Sequence, residues 1–448
     1  MLKKVINKYN LILGLIFLIF AAFTLYLALN VKMEISPDSW YHLRVSQTYS
    51  TTLTIPENAE VTYQWRDITN IPYLYFWTNG RILNLNDSIF EFNHVILLRI
   101  INIVYSLLTL VGVYLLSKEV IKNKWARLIP LVLITNTLMF LLLSSSINYD
   151  NLGNMFATFA ILFFVKTIKY KGEFKYPLLT ILMLCLGTLT KFTIVPLAVI
   201  LVIFLLFEFI KNFNIWKESF KKRDLFYIVP LLLFGTLNIL LYGNNLLKYQ
   251  ELTPSCEKVL THEQCLENGV YYRDMITMPA VEVNLKEMIL SGERLDPLRY
   301  TGVWVWEMTK RTVGIMGDSS FYHDILTISV FTFLIVISFL IGIYNWKKLK
   351  KEHKYLFFIT ISYLLILLFF QNYDMYLKRG YPTLALQGRY MFPVISSFYV
   401  LLSVFWLSIN NRYLRLFIIL TTLILLIIFS IPYFLLNIDS SWFGPIIY

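Results

Sequence analysis

Charge is what this sequence has least of. Only 15% of its 448 residues are Asp, Glu, Lys or Arg while 57% are hydrophobic, and the apolar residues come in runs near the roughly 20-residue length that spans a bilayer. That pattern excludes an ordinary soluble globular chain. Three cysteines are too few for a disulfide framework; Cys185 lies alone in an apolar run, and Cys256 and Cys265 share a polar segment. There is no P-loop, no dinucleotide-binding glycine pattern, no HExxH and no nucleophile elbow, which excludes ATP-driven transport by this chain alone. With no internal repeat, low-complexity tract or linker, residues 1–448 read as a single polytopic membrane domain. The net charge of +12 does not point to nucleic acid, because the lysines and arginines sit in short clusters between apolar runs, as in cytoplasmic loops.

What is present is an all-α pattern of about eleven transmembrane helices. Lys3, Lys4 and Lys8 precede a first span at about 11–30 and place the N-terminus in the cytoplasm; that span lacks a small-residue cleavage site and reads as retained. Residues 31–93 form a first extracytoplasmic loop, dense in aromatics. Basic clusters at Lys118–Arg127, Lys166–Lys175, Lys217–Arg223, Lys347–Lys354 and Arg412–Arg415 all fall on one side of the spans. A third span is expected over 128–143. The run from Pro177 to Ile210 is too long for one helix and reads as two spans meeting at an outer turn at Lys191. Residues 244–322 form a large extracytoplasmic loop or cap. Cys256 and Cys265, nine apart in a loop facing an oxidising compartment, are expected to pair.

The first loop opens with Ser36-Pro37-Asp38-Ser39-Trp40-Tyr41-His42. Ser36 reads as an N-cap and Pro37 as the first helical residue, so Asp38 and His42 would share a helix face and aim an acid and an imidazole together at the membrane surface. The blander alternative is an acid complementing a helix dipole beside a polar surface histidine. Further polar groups that are hard to explain as cytoplasmic anchors gather on the same side: Arg66, Asp67, Arg99, Asp150, Lys191, Lys378, Arg379 and Arg389. Asp150 reads first as a helix cap, and Lys191 is equally readable as a snorkelling lysine. Carboxylates beside cations at a membrane interface suit a lipid-borne anion. Breaking an anomeric carbon–oxygen bond releases a lipid phosphate that needs cations, and the acceptor hydroxyl needs a carboxylate to take its proton.

These motifs resemble the C-type superfamily of membrane glycosyltransferases, which use polyprenyl-phosphate-linked donors and carry an aspartate motif directly after the first helix. Besides the Asp38 motif, Ile71-Pro72-Tyr73-Leu74-Tyr75, Leu97-Leu98-Arg99-Ile100-Ile101, Asn148-Tyr149-Asp150-Asn151 and Gln387-Gly388-Arg389-Tyr390-Met391-Phe392-Pro393 resemble segments of that superfamily, in order, across residues 10–410. The resemblance implies an inverting glycosyltransferase in the cytoplasmic membrane with its active site on the extracytoplasmic face. Asp38 and His42 would be catalytic; Arg66, Asp67, Arg99, Asp150, Lys191, Lys378, Arg379, Arg389 and Tyr390 would bind substrate. Its partners would be a polyprenyl-phosphate sugar, the bilayer and a glycan, lipid or protein acceptor. Ser39 stands where many relatives place a second acid, so a divalent metal would need Asp67 or Asp150 to approach, and no cofactor is assigned. Two other readings stay open: a transporter or flippase of a lipid-linked or anionic substrate, and an O-antigen-type polymerase or ligase.

Overall fold

The computed structural model describes residues 8–219, 221–281 and 290–445, and among them the chain is helical, with two isolated β-bridges and no sheet. Lys3 and Lys4, expected to fix the N-terminus, lie outside the described residues. The principal helices are α1 (Lys8–Asn30), α2 (Ser39–Ser50), α3 (Leu74–Ile89), α4 (His94–Val120), α5 (Ile129–Thr135), α6 (Leu138–Ser144), α7 (Asp150–Lys169) and α8 (Lys175–Thr190). They continue as α9 (Phe192–Lys211), α10 (Lys222–Tyr249), α11 (Pro297–Val313), α12 (Ile325–Tyr344), α13 (Lys351–Arg379), α14 (Gly388–Leu407) and α15 (Arg412–Asn437).

Nine of these are long and apolar enough to cross a membrane, ten if the bent pair α5–α6 is one span, so the count of about eleven is not reached among the described residues. The shortfall has local causes. The expected third span is broken, with its halves bent by 69°. At the break Asn136 Nδ2 donates to the Val132 carbonyl at 2.8 Å and Thr137 Oγ1 to the Leu133 carbonyl at 2.9 Å, so side chains occupy carbonyls that a continuing helix would use. Thr137 also meets the Tyr399 hydroxyl of α14 at 2.6 Å. The long run 177–210 does divide at Lys191, but α8 is a short helix.

α14 and α7 form the centre, with 89% and 72% of their apolar windows buried, whereas α10 is 6% buried and lies at the periphery. α7 packs closely on α4, where a Cβ on Gly112 would stand 2.7 Å from the Thr158 methyl. Its first turn is fixed by buried amides. Asn151 Nδ2 donates to Asn102 Oδ1 of α4 at 2.9 Å and to the Leu143 carbonyl at 2.7 Å, and Ser106 donates to Asn151 Oδ1 at 3.1 Å. With each amide partnered, the network pins the start of α7, and therefore Asp150, against α4 and α6.

The two polar segments meet over this end of the bundle. Arg66 Nε donates to Asn268 Oδ1 at 2.8 Å, and Asn268 Nδ2 to the Gln64 carbonyl at 2.8 Å. Cys256 and Cys265 are bonded, with Cα atoms 6.0 Å apart. Gly317 presses on the aspartate motif so closely that a Cβ there would lie 2.5 Å from the Ile35 carbonyl.

Candidate active site

The helix after the first span starts later than its Ser-Pro signal predicts. α2 begins at Ser39 and its N-cap is Asp38, held at φ 58°, ψ 14°. Asp is one of the few residues besides glycine that tolerate this left-handed region. The Pro37 carbonyl accepts from Asn148 Nδ2 at 3.2 Å, tying the turn to the loop before α7. In this conformation the Asp38 carboxylate makes no capping bond, and it turns instead to Arg389, whose Nη2 lies 2.5 Å from Asp38 Oδ2.

Arg389 is at the start of α14, buried, and donates through Nε to Gln387 Oε1. Its Nη1 stands 3.8 Å from Asp150 Oδ2, and neither of those atoms has a hydrogen-bond partner among the described residues. The other Asp150 oxygen is paired with Lys191 Nζ. Lys191 is in turn 4.8 Å from the Tyr149 ring centroid and 5.3 Å from that of Tyr390. Asp38, Arg389, Asp150 and Lys191 thus form a quartet of two carboxylates and two cations. Three of its side chains are 2–4% exposed, whereas that of Asp38 is 48% exposed. Asp38 is its accessible member. Burial is the largest single influence and would raise the Asp38 pKa, but the Arg389 charge and hydrogen bond, with His42 and Lys191, together hold the carboxyl below its usual range.

His42 takes no part in the hydrogen bonds of the quartet. It is fully buried, its ring packed 4.4 Å from Tyr149 and 5.8 Å from Phe76, and neither ring nitrogen has a hydrogen-bond partner among the described residues. Burial lowers its pKa to about 3, with Arg389 and Lys191 reinforcing the fall against Asp38, so the imidazole is neutral and does not orient the Asp38 carboxylate.

Of the other expected substrate contacts, Tyr390 joins the quartet and five do not. Arg99 is buried and caps α1, its Nη1 donating to the Ala28 and Val31 carbonyls at 2.7 and 2.8 Å. Asp67 is a turn anchor whose Oδ1 accepts from the Thr69 and Asn70 amides and from Asn58 Nδ2. Arg379 binds the Asp274 and Met278 carbonyls, and Lys378 pairs with Asp374 on the surface at 2.7 Å. Arg66 bridges the two polar segments. Each makes backbone or side-chain contacts away from the quartet.

Two residues near the quartet were not among those expected. Tyr149 forms one wall for both Lys191 and His42, and its place beside Asp150 in the sequence was the available signal. Asp318, an exposed residue following Gly317, sits within electrostatic reach of Asp38; burial and the Asp38 charge raise its pKa, against Arg389. Nothing in a long polar loop singles it out. No group of three or more His, Cys, Asp and Glu residues gathers among the described residues. Asp38 and Asp150 already face cations, so this donor set does not fit a divalent metal.

Fold and site define a polytopic helical membrane protein with a charge-paired carboxylate at one end of its bundle. Residues 72–237 match the family model described as dolichyl-phosphate-mannose-protein mannosyltransferase. In structure the chain is similar to ArnT from Cupriavidus metallidurans bound to undecaprenyl phosphate, at 12% identity over 89% of this chain and 61% of that one, with a TM-score of 0.48. It is also similar to the oligosaccharyltransferase AglB from Archaeoglobus fulgidus in complex with an inhibitory peptide and a dolichol-phosphate (15% identity, 96% and 56%, TM-score 0.46). A further similarity is to the arabinosyltransferase EmbB from Mycobacterium smegmatis (12%, 91% and 31%, 0.46). The chain therefore spans less than two thirds of the length of each. No curated protein matches the sequence.

Proposed function

We propose that the chain is an inverting glycosyltransferase that moves a sugar from a polyprenyl-phosphate donor to an acceptor hydroxyl at the extracytoplasmic face, with Asp38 as the base. The observation that carries this reading is the half-exposed Asp38 carboxylate, kept ionised by a buried arginine while every other charge of the quartet is sequestered.

In the reaction the acceptor oxygen attacks the anomeric carbon from the face opposite the phosphate, and its proton passes to Asp38 as the new bond forms. The bond from the anomeric carbon to the phosphate oxygen breaks with its electron pair on that oxygen. Before transfer the quartet sums to zero charge. Once Asp38 holds the proton, the remaining Asp150, Arg389 and Lys191 sum to one positive charge, which appears as the leaving phosphate gains its negative charge. Arg389 keeps an unspent donor at Nη1 for a phosphate oxygen. The same arginine would thus hold the base in its anionic form and stabilise the leaving group.

An apolar cleft of about 330 Å³ between α11, α12, α13 and α14 suits the prenyl tail of such a donor. Trp304, Met308, Phe339 and Phe398 line it, and so does Met391, two residues from Arg389. The test is to offer the purified chain a panel of short-chain polyprenyl-phosphate sugars and measure release of polyprenyl phosphate. Release that depends on Asp38 and yields the inverted anomer supports the reading; transport of the intact donor without cleavage overturns it.

A further inference from the structure

A cavity of about 820 Å³ lies at the opposite end of the bundle from Asp38, between the end of α4, the turn before α5, the start of α13, the end of α14 and the start of α15. Its floor is apolar, with Ile129, Leu407 and Ile419. Its rim is basic: Lys122, Lys348, Lys350 and Arg415 all face it. Three of these charges face no carboxylate among the described residues. Lys348 Nζ reaches the amide oxygens of Asn345 at 2.6 Å and Asn410 at 2.9 Å, and Arg415 Nη1 the Ile409 carbonyl at 3.2 Å. Among the described residues no carboxylate is within ion-pair distance of Lys122, Lys348 or Arg415, and Glu352 stands 3.7 Å from Lys350.

The wall is built rather than incidental. His353 accepts from the Lys350 amide at Nδ1 (3.3 Å) and donates from Nε2 to the Val120 carbonyl (3.2 Å), so a neutral imidazole locks the start of α13 to the end of α4. Trp125, also lining the cavity, is half exposed and suits the headgroup level of a bilayer.

We propose that this cavity is a site for an anionic phospholipid of the leaflet opposite the Asp38 site, its phosphate held by Lys348 and Arg415 and its glycerol and upper acyl carbons on the apolar floor. A basic pocket between membrane helices is a recurrent headgroup site, and the volume and apolar floor exceed what a free phosphate would use. The inference is independent of the transfer reaction.

The test uses the full chain in phosphatidylcholine nanodiscs with or without phosphatidylglycerol, followed by native mass spectrometry of retained lipid. The wild type is expected to retain phosphatidylglycerol. The double variant Lys348→Gln/Arg415→Gln should bind it about tenfold more weakly or worse, while Lys348→Arg/Arg415→Lys retains it. Lys211→Gln/Lys217→Gln, a charge-matched pair at the same end but outside the cavity, should also retain it. Should the glutamine pair fail to fold, Ile419→Trp, which fills the floor and leaves every charge, must also lose the lipid. Unchanged retention in the glutamine pair or in Ile419→Trp overturns the site. Equal loss in the Lys211/Lys217 control would show a diffuse basic surface instead, and displacement by inorganic phosphate would show a soluble-anion site.

Discussion

The Asp38 side chain carries two burdens that one charge satisfies: it must be an anion to accept a proton, and it must be paired to sit beside a buried guanidinium. Asp38→Asn keeps the left-handed turn and removes the charge, so the variant should insert and bind donor yet lose about 10²-fold or more in transfer rate in a polyprenyl-phosphate release assay. Near-normal transfer would move the search to Asp318. The sign of the pH effect follows from the partner. The folded pKa of Asp38 is below its ordinary value, so its contribution to stability is present above the unfolded pKa of about 4 and is lost as pH falls through the lowered folded value. Arg389→Gln removes the main opposition to burial, and the acid limb of residual activity should move to higher pH; an unmoved limb would mean that Arg389 does not set the ionisation of the base. His42 predicts the reverse of a catalytic residue. An unpartnered imidazole among aromatic rings costs stability, about 1–3 kcal/mol for a buried unsatisfied group, so His42→Phe should not lower the melting temperature and should keep transfer within about tenfold. A larger loss would mean that the imidazole touches substrate.

Among the elements, the decisive contact is between the aspartate motif and the end of the large polar segment. Gly317 lets that segment's backbone reach Ile35 and Pro37, where any side chain would collide with backbone. Gly317→Val should therefore displace the segment and impair transfer while leaving the apolar bundle intact, measured as lost activity without a change in helical content. The Cys256–Cys265 bond acts on a smaller unit. On the chain-entropy account, closing so short a loop is worth about 3 kcal/mol, so Cys256→Ser should expose residues 250–281 to protease while α1–α9 stay protected. Equal protection in both proteins would show that contacts with Arg66 and Arg379 alone hold the segment. The break at Asn136 and Thr137 belongs to this scale as well: a polar pair in an apolar run becomes a bend because its side chains take helix carbonyls, one of them while held by Tyr399.

At the scale of the molecule, the charges separate by end. One end carries the paired quartet beneath the two polar segments; the other carries the lysine and arginine clusters and the basic cavity. The expectation is that single cysteines introduced at exposed positions in 51–61 and in 262–272 are labelled from the same side of the membrane, and those in 122–125 and 347–350 from the other. Labelling of either polar segment from the side of the basic clusters would invert the orientation and place Asp38 on the wrong face for an extracytoplasmic donor.

How much was legible follows from the range of each interaction. The apolar runs, the division at Lys191, the basic clusters and the prominence of Asp38, Asp150 and Arg389 are properties of short segments, so composition and motif order reveal them in one sequence. The pairing of Asp38 with Arg389 joins residues 351 apart, and that of Lys191 with Asp150 residues 41 apart. No local pattern encodes either. Desolvation requires that a buried charge find a partner, but packing alone decides which one. The same rule explains why Arg99, Asp67 and Arg379, which look equally available in the sequence, are spent on helix ends and turns.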